Sequence, residues 1–279
     1  MHSLQQLMAG QSLNDTLAQV EGQIKQKPAD ADLRASFVQL LCLMGNWSRA
    51  LTQLKSWRAL KPQAQPQAQP TVTLLEQAIG GELKRARVFS GEDSPRIPGD
   101  GWSWAEQLLQ ALRADHRGDH GQAQALRAAA FDAAALNPGQ LQRQGEEQAH
   151  AFDWLIDGDG RLGPLCELIV NGEYSWLPFS AISELRFQPP ASVTDLVWRH
   201  TLVRLIDGSE QVCQIPARYP LAQDDDDRYR LGSLTEWRPL SADEQQFSGH
   251  GQKSWLSAQD DFPLLNLETL TFATAETAS

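Results

Sequence analysis

The segment FDWLIDGDGRLGPLCELIVNGEYSWLPFSAI, residues 152–182, marks the point where the pattern of the chain changes. Before it, apolar residues recur at α-helical spacing, and after it short β-rich runs alternate with proline and glycine. The segment contains a turn-forming run, DGDGRLGP at 157–164, and we expect a short helix at about 162–170 behind that turn. The change predicts an α+β fold, in which a helical part precedes a small mixed α/β part rich in short antiparallel strands.

The part before the segment is predicted to be helical. Apolar residues follow helical spacing in three consecutive runs, which lie at 13–24, 33–44 and 47–57. Pro28 and Pro62 each follow a lysine, and their separation of 62 − 28 = 34 residues is the period of a tetratricopeptide repeat. This spacing predicts a tetratricopeptide-like helical repeat.

More helices are expected further along this part, at 71–89, at 102–115 and in an alanine-rich echo of the repeat at 118–138. The proline-punctuated run PQAQPQAQP at 62–70 favours a surface linker, because its prolines interrupt a helix. The polar run RQGEEQAHAF is expected to close the helical part. We therefore predict a helical domain over 1–150 and an α+β domain over 151–279.

Strand patterns dominate the second part. A strand at 197–206, a turn at 207–209 and a strand at 210–216 read as one β-hairpin. Further strands are expected within LTEWRPL, QKSWLSAQ and LNLETLTF.

Composition limits the classes of function. The formal net charge of −11 argues against nucleic acid and against an anionic membrane surface, because both need an excess of Lys and Arg. No apolar run approaches the roughly 18 residues of a membrane span, and no secretory signal is visible, so we expect a cytoplasmic protein. Cys42, Cys166 and Cys213 match no metal-binding or redox spacing and are expected to be buried thiols.

The DGDGRLGP run resembles the start of a calcium loop but lacks its ligands. Arg161 stands at the fifth position of such a loop, and Leu168 stands where the closing glutamate is needed. A hydrolase using Asp153, Asp157, Asp159 and His150 is an alternative, although one short loop gives its carboxylates no contrast in environment. The favoured interpretation is a turn in which Arg161 forks onto Asp157 or Asp159. No cofactor or metal motif is found, and we expect no enzyme activity.

Four consecutive aspartates at 224–227 have two interpretations, a loop that binds a cation or a basic partner and a solvated, mobile loop kept extended by repulsion. The second is favoured. Most tryptophans are expected in the core, whereas Trp47 and Trp57 either line a peptide groove or pack between repeats.

Over nearly its whole length the chain resembles the ImpE family, also called TagJ, of accessory proteins in bacterial type VI secretion. The resemblance rests on the block at 152–182, on 195–198, 215–220, 235–237 and 251–252, and in the helical part on 39–42 and 45–47. The family-signature residues of undetermined role are Asp153, Trp154, Asp157, Asp159, Arg161, Gly163, Pro164, Tyr174, Trp176, Pro178, Phe179, Trp198, Arg218 and Tyr219.

The resemblance implies a non-catalytic cytoplasmic adaptor without cofactors. Its expected partners are the N-terminal helix of the small subunit of the contractile sheath and the ClpV-type AAA+ ATPase that recycles the sheath. A generic tetratricopeptide-type chaperone or interaction protein is the alternative, followed by the carboxylate-dependent hydrolase.

Overall fold

The computed structural model describes residues 8, 10–60, 68–241 and 246–273, and the first part of the chain is helical, as predicted. Its helices are α1 (Leu13–Gln26), α2 (Ala31–Leu43), α3 (Trp47–Leu60), α4 (Ala68–Phe89), α5 (Ser103–His116) and α6 (His120–Ala133). Side chains of Ser12, Asp30 and Asp119 accept backbone N–H groups at the starts of α1, α2 and α6, which explains where these helices begin. Helices α1 to α4 pack on each other in sequence order and α5 packs on α6, yet their assignment to tetratricopeptide repeats stays a prediction.

The linker prediction at 62–70 is only partly covered by the described residues. Residues 62–67 lie outside them, and α4 begins at Ala68 rather than at residue 71. Pro70 therefore falls in the first turn of the helix, where its missing N–H costs no hydrogen bond.

Antiparallel strands make up most of the rest. They are β1 (Gly139–Arg143), β2 (Ala149–Phe152), β3 (Ile156–Asp157), β4 (Leu165–Val170), β5 (Glu173–Pro178), β6 (Ile182–Phe187), β7 (Trp198–Leu205), β8 (Glu210–Pro216), β9 (Thr235–Pro239), β10 (Phe247–Gly251), β11 (Ser254–Leu256), β12 (Asp261–Pro263) and β13 (Leu267–Phe272). A four-residue helix, α7 (Asp227–Arg230), lies between β8 and β9.

Eight strands form one sheet in the order β2-β1-β13-β6-β7-β8-β4-β5. A three-stranded sheet, β12-β11-β3, and a two-stranded sheet, β10-β9, complete the β structure of the described residues. The predicted hairpin is confirmed as β7 and β8, with Trp198 opposite Pro216 and Arg204 opposite Glu210.

The helix expected at 162–170 is wrong. Residues 165–170 form β4, which pairs along its whole length with β5. The run LCELIV is buried on both sides because α4 covers one face of the strand and the sheet core covers the other. A strand buried on both faces loses its alternation, so its pattern cannot be distinguished from that of a short buried helix.

The run at 143–152 does not close the helical part. It forms the end of β1, a turn and β2, with Leu141 opposite His150 and Gly139 opposite Phe152. The large sheet therefore begins at Gly139, ahead of the boundary expected at residue 150. The division of the chain into two domains stays a prediction.

One apolar core continues from the helices into the sheet. It contains Phe37 of α2, Ile79 of α4, Trp176 of β5 and Trp198 of β7, all nearly inaccessible to solvent. At Gly81 of α4 a Cβ atom would lie 2.6 Å from Ile169 Cγ2, so the helix backbone rests directly on β4. A second core lies between the large sheet and the three-stranded one. Within the described residues no helix is long and apolar enough to cross a membrane.

Candidate functional site

The densest polar feature is a set of charged side chains between α4 and the sheets, which we name the buried ion cluster. Its members are Glu82, Arg85, Asp157, Asp159, Arg161, Glu167, Arg218 and Lys253. All are buried except Arg161, whose side chain is 19% exposed. Four acidic and four basic groups balance in charge, which is the condition under which charges tolerate burial.

Glu167 of β4 lies at the centre of the cluster. Arg85 of α4 forks onto it, with Nε 2.6 Å from Oε1 and Nη2 2.9 Å from Oε2. Lys253 Nζ lies 2.7 Å from Oε2, and the Tyr174 hydroxyl donates to Oε1 at 2.5 Å. The Trp176 indole N–H in turn donates to the Tyr174 oxygen at 2.7 Å. Each carboxylate oxygen of Glu167 therefore accepts two donors.

Asp157 is held on three sides. Lys253 Nζ lies 2.6 Å from its Oδ2, so the ammonium bridges Asp157 and Glu167. The Tyr219 hydroxyl and the Asp159 N–H each lie 3.0 Å from its Oδ1. The Asp157 carboxylate thus accepts an N–H of its own turn and links that turn to Tyr219 and Lys253 in the last third of the chain.

The predicted ion pair of the turn is confirmed with Asp159, whereas Asp157 is taken by Lys253. Arg161 forks onto Asp159, with Nε 2.8 Å from Oδ1 and Nη2 2.5 Å from Oδ2, while the Gly249 N–H donates to Oδ2 at 3.0 Å. The Arg161 guanidinium also lies 4.8 Å from the ring centroid of Phe89 at the end of α4. The predicted entry into a helix is wrong, because Pro164 leads into β4.

Two further members of the cluster tie helices to the sheet part. Glu82 of α4 accepts the Trp198 indole N–H at 3.1 Å. Arg218 donates to the carbonyls of Cys42 and Leu43 at 2.6 and 2.5 Å, where α2 ends. Arg218 thus supplies a donor to the Leu43 carbonyl and a further donor to the Cys42 carbonyl, which also accepts the Gly45 N–H at 3.1 Å.

Burial and neighbouring charge pull the pKa values of these carboxyls apart. Burial raises the pKa of Asp157 to about 6 against the opposing effect of Lys253. Burial would also raise the pKa of Glu167, but Arg85 and Lys253 outweigh it and hold that pKa far below its usual range. For Asp159 burial is outweighed by Arg161, and its pKa is lowered. The cause in each case is the balance between lost hydration and a paired cation.

This arrangement suits a structural joint better than a reacting centre. Each carboxylate already binds a cation or a donor of the chain, and three clefts at the surface are lined by other side chains. The hydrolase hypothesis required Asp153 and His150 beside Asp157 and Asp159. The structure instead leaves Asp153 exposed and pairs His150 with Glu146 at 2.8 Å. Within the described residues, no three His, Cys, Asp or Glu side chains could hold a metal ion.

Most of the expected signature residues gather around this joint. Asp157, Asp159, Arg161, Tyr174, Trp198, Arg218 and Tyr219 belong to the cluster or bind to it directly, and Trp176 is linked to it through Tyr174. Pro164 accepts the Phe179 N–H at 3.0 Å, and Phe179 packs edge-on against Trp255 in the second core, next to the buried Pro178. Trp154 is half-buried and, with Asp153, stands apart from the cluster.

Gly163 is required by close packing. Its φ of +52° lies in the left-handed region, and a Cβ atom would lie 2.3 Å from Cε1 of Phe131. Only glycine meets both conditions, since any side chain would be strained and would also overlap the ring.

Sequence reasoning missed Glu82, Arg85 and Lys253. A signal for the first two exists: they continue the buried stripe of α4 that runs through Leu75, Ala78 and Ile79. A charged residue at such a position requires a buried partner of opposite sign. No local pattern marks Lys253.

The acidic run at 224–227 is more ordered than expected. Asp225 is buried and accepts the Ala222 N–H at 2.8 Å, and Asp226 caps α7 by accepting the Arg228 N–H. Asp227 accepts the Leu13 N–H at 2.8 Å and so joins α7 to the start of α1. The expectation of a solvated, mobile loop is therefore wrong for Asp225 and Asp227, whose carboxylates accept backbone N–H groups.

The three cysteines are buried and free, as expected. Trp176, Trp198 and Trp255 are fully buried, in line with the expected core role. Trp57 is buried, and Trp47 is half-buried with its ring 5.6 Å from that of Trp198. Trp47 thus packs against the sheet part rather than lining an open groove.

Comparison with known proteins finds relatives of this chain. A family model described as ImpE protein matches residues 149–271. The type VI secretion system accessory component TagJ of Pseudomonas aeruginosa is 42% identical over 234 residues, which cover 84% of this chain and 80% of that protein. The crystal structure of protein VPA1032 from Vibrio parahaemolyticus is similar with a TM-score of 0.83 at 25% identity, covering 94% of each chain.

Proposed function

The chain belongs to the ImpE family and is a homologue of the type VI secretion accessory component TagJ, and we propose that it acts as a non-catalytic cytoplasmic adaptor of that system. Its partner in this proposal is the N-terminal helix of the small subunit of the contractile sheath. The adaptor then links the sheath to the ClpV-type AAA+ ATPase. The proposal also treats the helices as a tetratricopeptide-like domain, residues 1–150, that is attached to the α+β domain over 151–279.

The observation that carries the proposal is the position of the signature residues in the fold. The charged signature residues other than Asp153 lie inside the buried ion cluster, where Arg85 and Glu167 hold α4 against β4. Such a joint fixes the orientation of the helices relative to the sheet, and it leaves the helices free to recognise a partner on their other side.

The helices have an inner and an outer side. The inner side belongs mainly to α2 and α4, because Arg218 binds the end of α2 and α4 lies on β4 and β5. Helices α1 and α3 meet the sheet part at their first residues, Leu13 and Trp47. Arg49 of α3 forms an ion pair with Glu21 of α1, so these two helices are neighbours on the outer side. Ala18 and Thr52, each one turn from that ion pair, are exposed.

A partner helix would lie along this outer side of α1 and α3. Leu17, Ile24 and Leu51 of these helices pack against the core but are only partly buried, so some of their apolar surface would be accessible to a partner helix. An amphipathic helix that places its apolar stripe on such a surface uses the helix-in-groove mode of recognition.

The test is fluorescence anisotropy of a labelled peptide that copies the N-terminal helix of the small sheath subunit, titrated with this protein. We expect saturable binding with a micromolar constant, which corresponds to about −8 kcal/mol. The control is a peptide of the same length in which proline replaces the central residue. It should not bind, because proline breaks the helix. Absence of binding up to about 100 µM, where a contact worth about −5.5 kcal/mol would still be visible, would contradict helix recognition.

A further inference from the structure

The two edges of the eight-stranded sheet are treated differently. At one edge, β5 is covered by a single residue: the Arg96 N–H donates to the Tyr174 carbonyl at 3.1 Å, and the Trp176 N–H donates to the Arg96 carbonyl at 2.8 Å. Arg96 also pairs with Glu173 at 2.7 Å. A one-residue bridge of this kind stops another strand from joining that edge.

Within the part of the chain that the structure describes, the other edge, β2, has no such cover. It pairs with β1 alone, and no backbone hydrogen bond among the described residues joins its outer side to another segment. Its sequence AHAF contains neither lysine nor proline, the residues that commonly guard an edge, and Ala149 and Ala151 are exposed. The outer side of β2 is therefore a template for one more strand.

We propose that this strand is β2 of a second copy of the chain, paired antiparallel about a two-fold axis normal to the sheet. A strand is the same surface on both copies, which is what a two-fold interface requires. Such an axis places one residue opposite its own copy. Residues that lie directly opposite each other in an antiparallel pair point to the same face of the sheet, and this axis keeps each residue on its own face, so a residue can only lie opposite one that points to the same face.

The registers centred on His150 and on Ala151 each pair three residues of the four-residue strand, whereas those centred on Ala149 or Phe152 pair one. Charge selects between the first two. With Ala151 opposite itself, His150 faces Phe152 and Ala149 faces Asp153, so no like charges meet. With His150 opposite itself, two imidazoles meet and Glu147 faces Asp153, which repel each other. The Ala151 register is therefore the favoured one.

A four-residue seam buries little surface, so the pairing belongs to the weak and reversible class of interfaces. We expect a dissociation constant on the order of 10 µM to 1 mM. The dimer would carry two helical surfaces, and if the proposed function holds, it would bind a repeating polymer at two points.

The test is disulfide trapping with Ala151→Cys in the full chain. The new thiols would face each other across the axis at a separation of about 4.5–5.5 Å between Cβ atoms, within reach of a disulfide. Ala149→Cys is the matched control on the same strand and face, because its two copies would lie about 13 Å apart at 3.3 Å per residue. Gln140→Cys is a second control on the neighbouring strand, where Gln140 lies opposite Ala151. The native thiols are buried and should not contribute.

We expect Ala151→Cys to form dimers at least about tenfold faster than either control under mild oxidation at about 100 µM protein. In sedimentation velocity, Ala151→Lys should weaken self-association at least about tenfold through repulsion across the axis, while Gln140→Lys should not change it. Trapping of Ala151→Cys no faster than Ala149→Cys would overturn the proposal. So would a wild-type chain that stays monomeric up to about 1 mM. Neither measurement uses a sheath peptide, so this inference and the proposed function can fail separately.

Discussion

Arg85 and Glu167 form a buried, two-pronged ion pair that joins a helix to a sheet across 82 residues of sequence. The Arg85 side chain is 3% exposed and that of Glu167 is 0% exposed. Burial strips both groups of water, so each depends on the other for its stability in the folded chain. This dependence makes the pair sensitive to the loss of either partner.

Arg85→Met should lower the free energy of unfolding by about 3–5 kcal/mol, because Glu167 would remain buried with one cation fewer. Urea denaturation at neutral pH measures the change. Arg58→Met is the matched control: Arg58 pairs with Glu76 at 2.6 Å, but both side chains are largely exposed, so the loss should be about 0–1 kcal/mol. Arg85→Met combined with Glu167→Gln should recover part of the loss. Equal losses in the two single variants would contradict the role of the joint.

Asp157→Asn should change how stability depends on pH. Burial raises the pKa of Asp157 to about 6 from 3.8. The folded chain therefore keeps a proton that the unfolded chain releases in that window. The stability that this proton contributes is fully present below pH 3.8 and is lost as the pH rises through about 6.

Urea midpoints of wild type and Asp157→Asn, compared between pH 4 and 7, test this prediction. Wild type should lose stability relative to the variant as the pH rises. Asp159→Asn is the contrasting variant: because the pKa of Asp159 is lowered, its contribution is present at neutral pH and is lost as the pH falls. If the difference in urea midpoint between wild type and Asp157→Asn did not vary with pH, the pKa of Asp157 would not be raised.

Gly163→Ala should destabilise the chain more than Gly145→Ala. Both glycines have positive φ, +52° and +75°, so both variants cost about 1–2 kcal/mol of backbone strain. A Cβ at Gly145 has no atom within 4 Å, whereas at Gly163 it would lie 2.3 Å from Phe131. The overlap should add about 1–3 kcal/mol at Gly163. Phe131→Ala in the Gly163→Ala background should remove that excess, and additive effects in thermal unfolding would argue against direct contact.

Ala18→Glu and Thr52→Glu should each weaken binding of the sheath peptide about tenfold, because they place a carboxylate on the outer side of α1 and α3. Their stability should stay within about 0.5 kcal/mol of wild type, since both positions are exposed. Ala128→Glu, which adds the same charge at an exposed position of α6, is the control for net charge. If all three variants bind the peptide equally well, the partner surface lies elsewhere.

Local patterns were sufficient for much of the fold. The helical periods located α1 to α6, and the turn at Asp207 and Gly208 located the β7–β8 hairpin. They failed at 165–170, where a strand covered on both faces shows no alternation, and at 143–152, where a short polar hairpin shows no strand signal.

The candidate site shows the same division. Arg161 and Asp159 are two residues apart, and their ion pair was predictable from the turn alone. Lys253 is 96 residues from Asp157, and no spacing rule connects them. Arg85 and Glu82 were visible as charges on an apolar helix stripe, yet their partners could not be named from that stripe.

The sequence by itself determined the α+β class, the helices, the central hairpin and the family, because these depend on contacts within a few residues and on a long specific block. Only the tertiary structure decided what the signature charges do. Lys253, Glu167 and Arg85 come from three distant segments, and their pairing exists only once burial has removed the water that would otherwise keep them apart. For this reason the turn that resembles a calcium loop serves to join α4 to the sheets. The position of β2 at an edge with no further strand among the described residues could be seen only once the strand order was known.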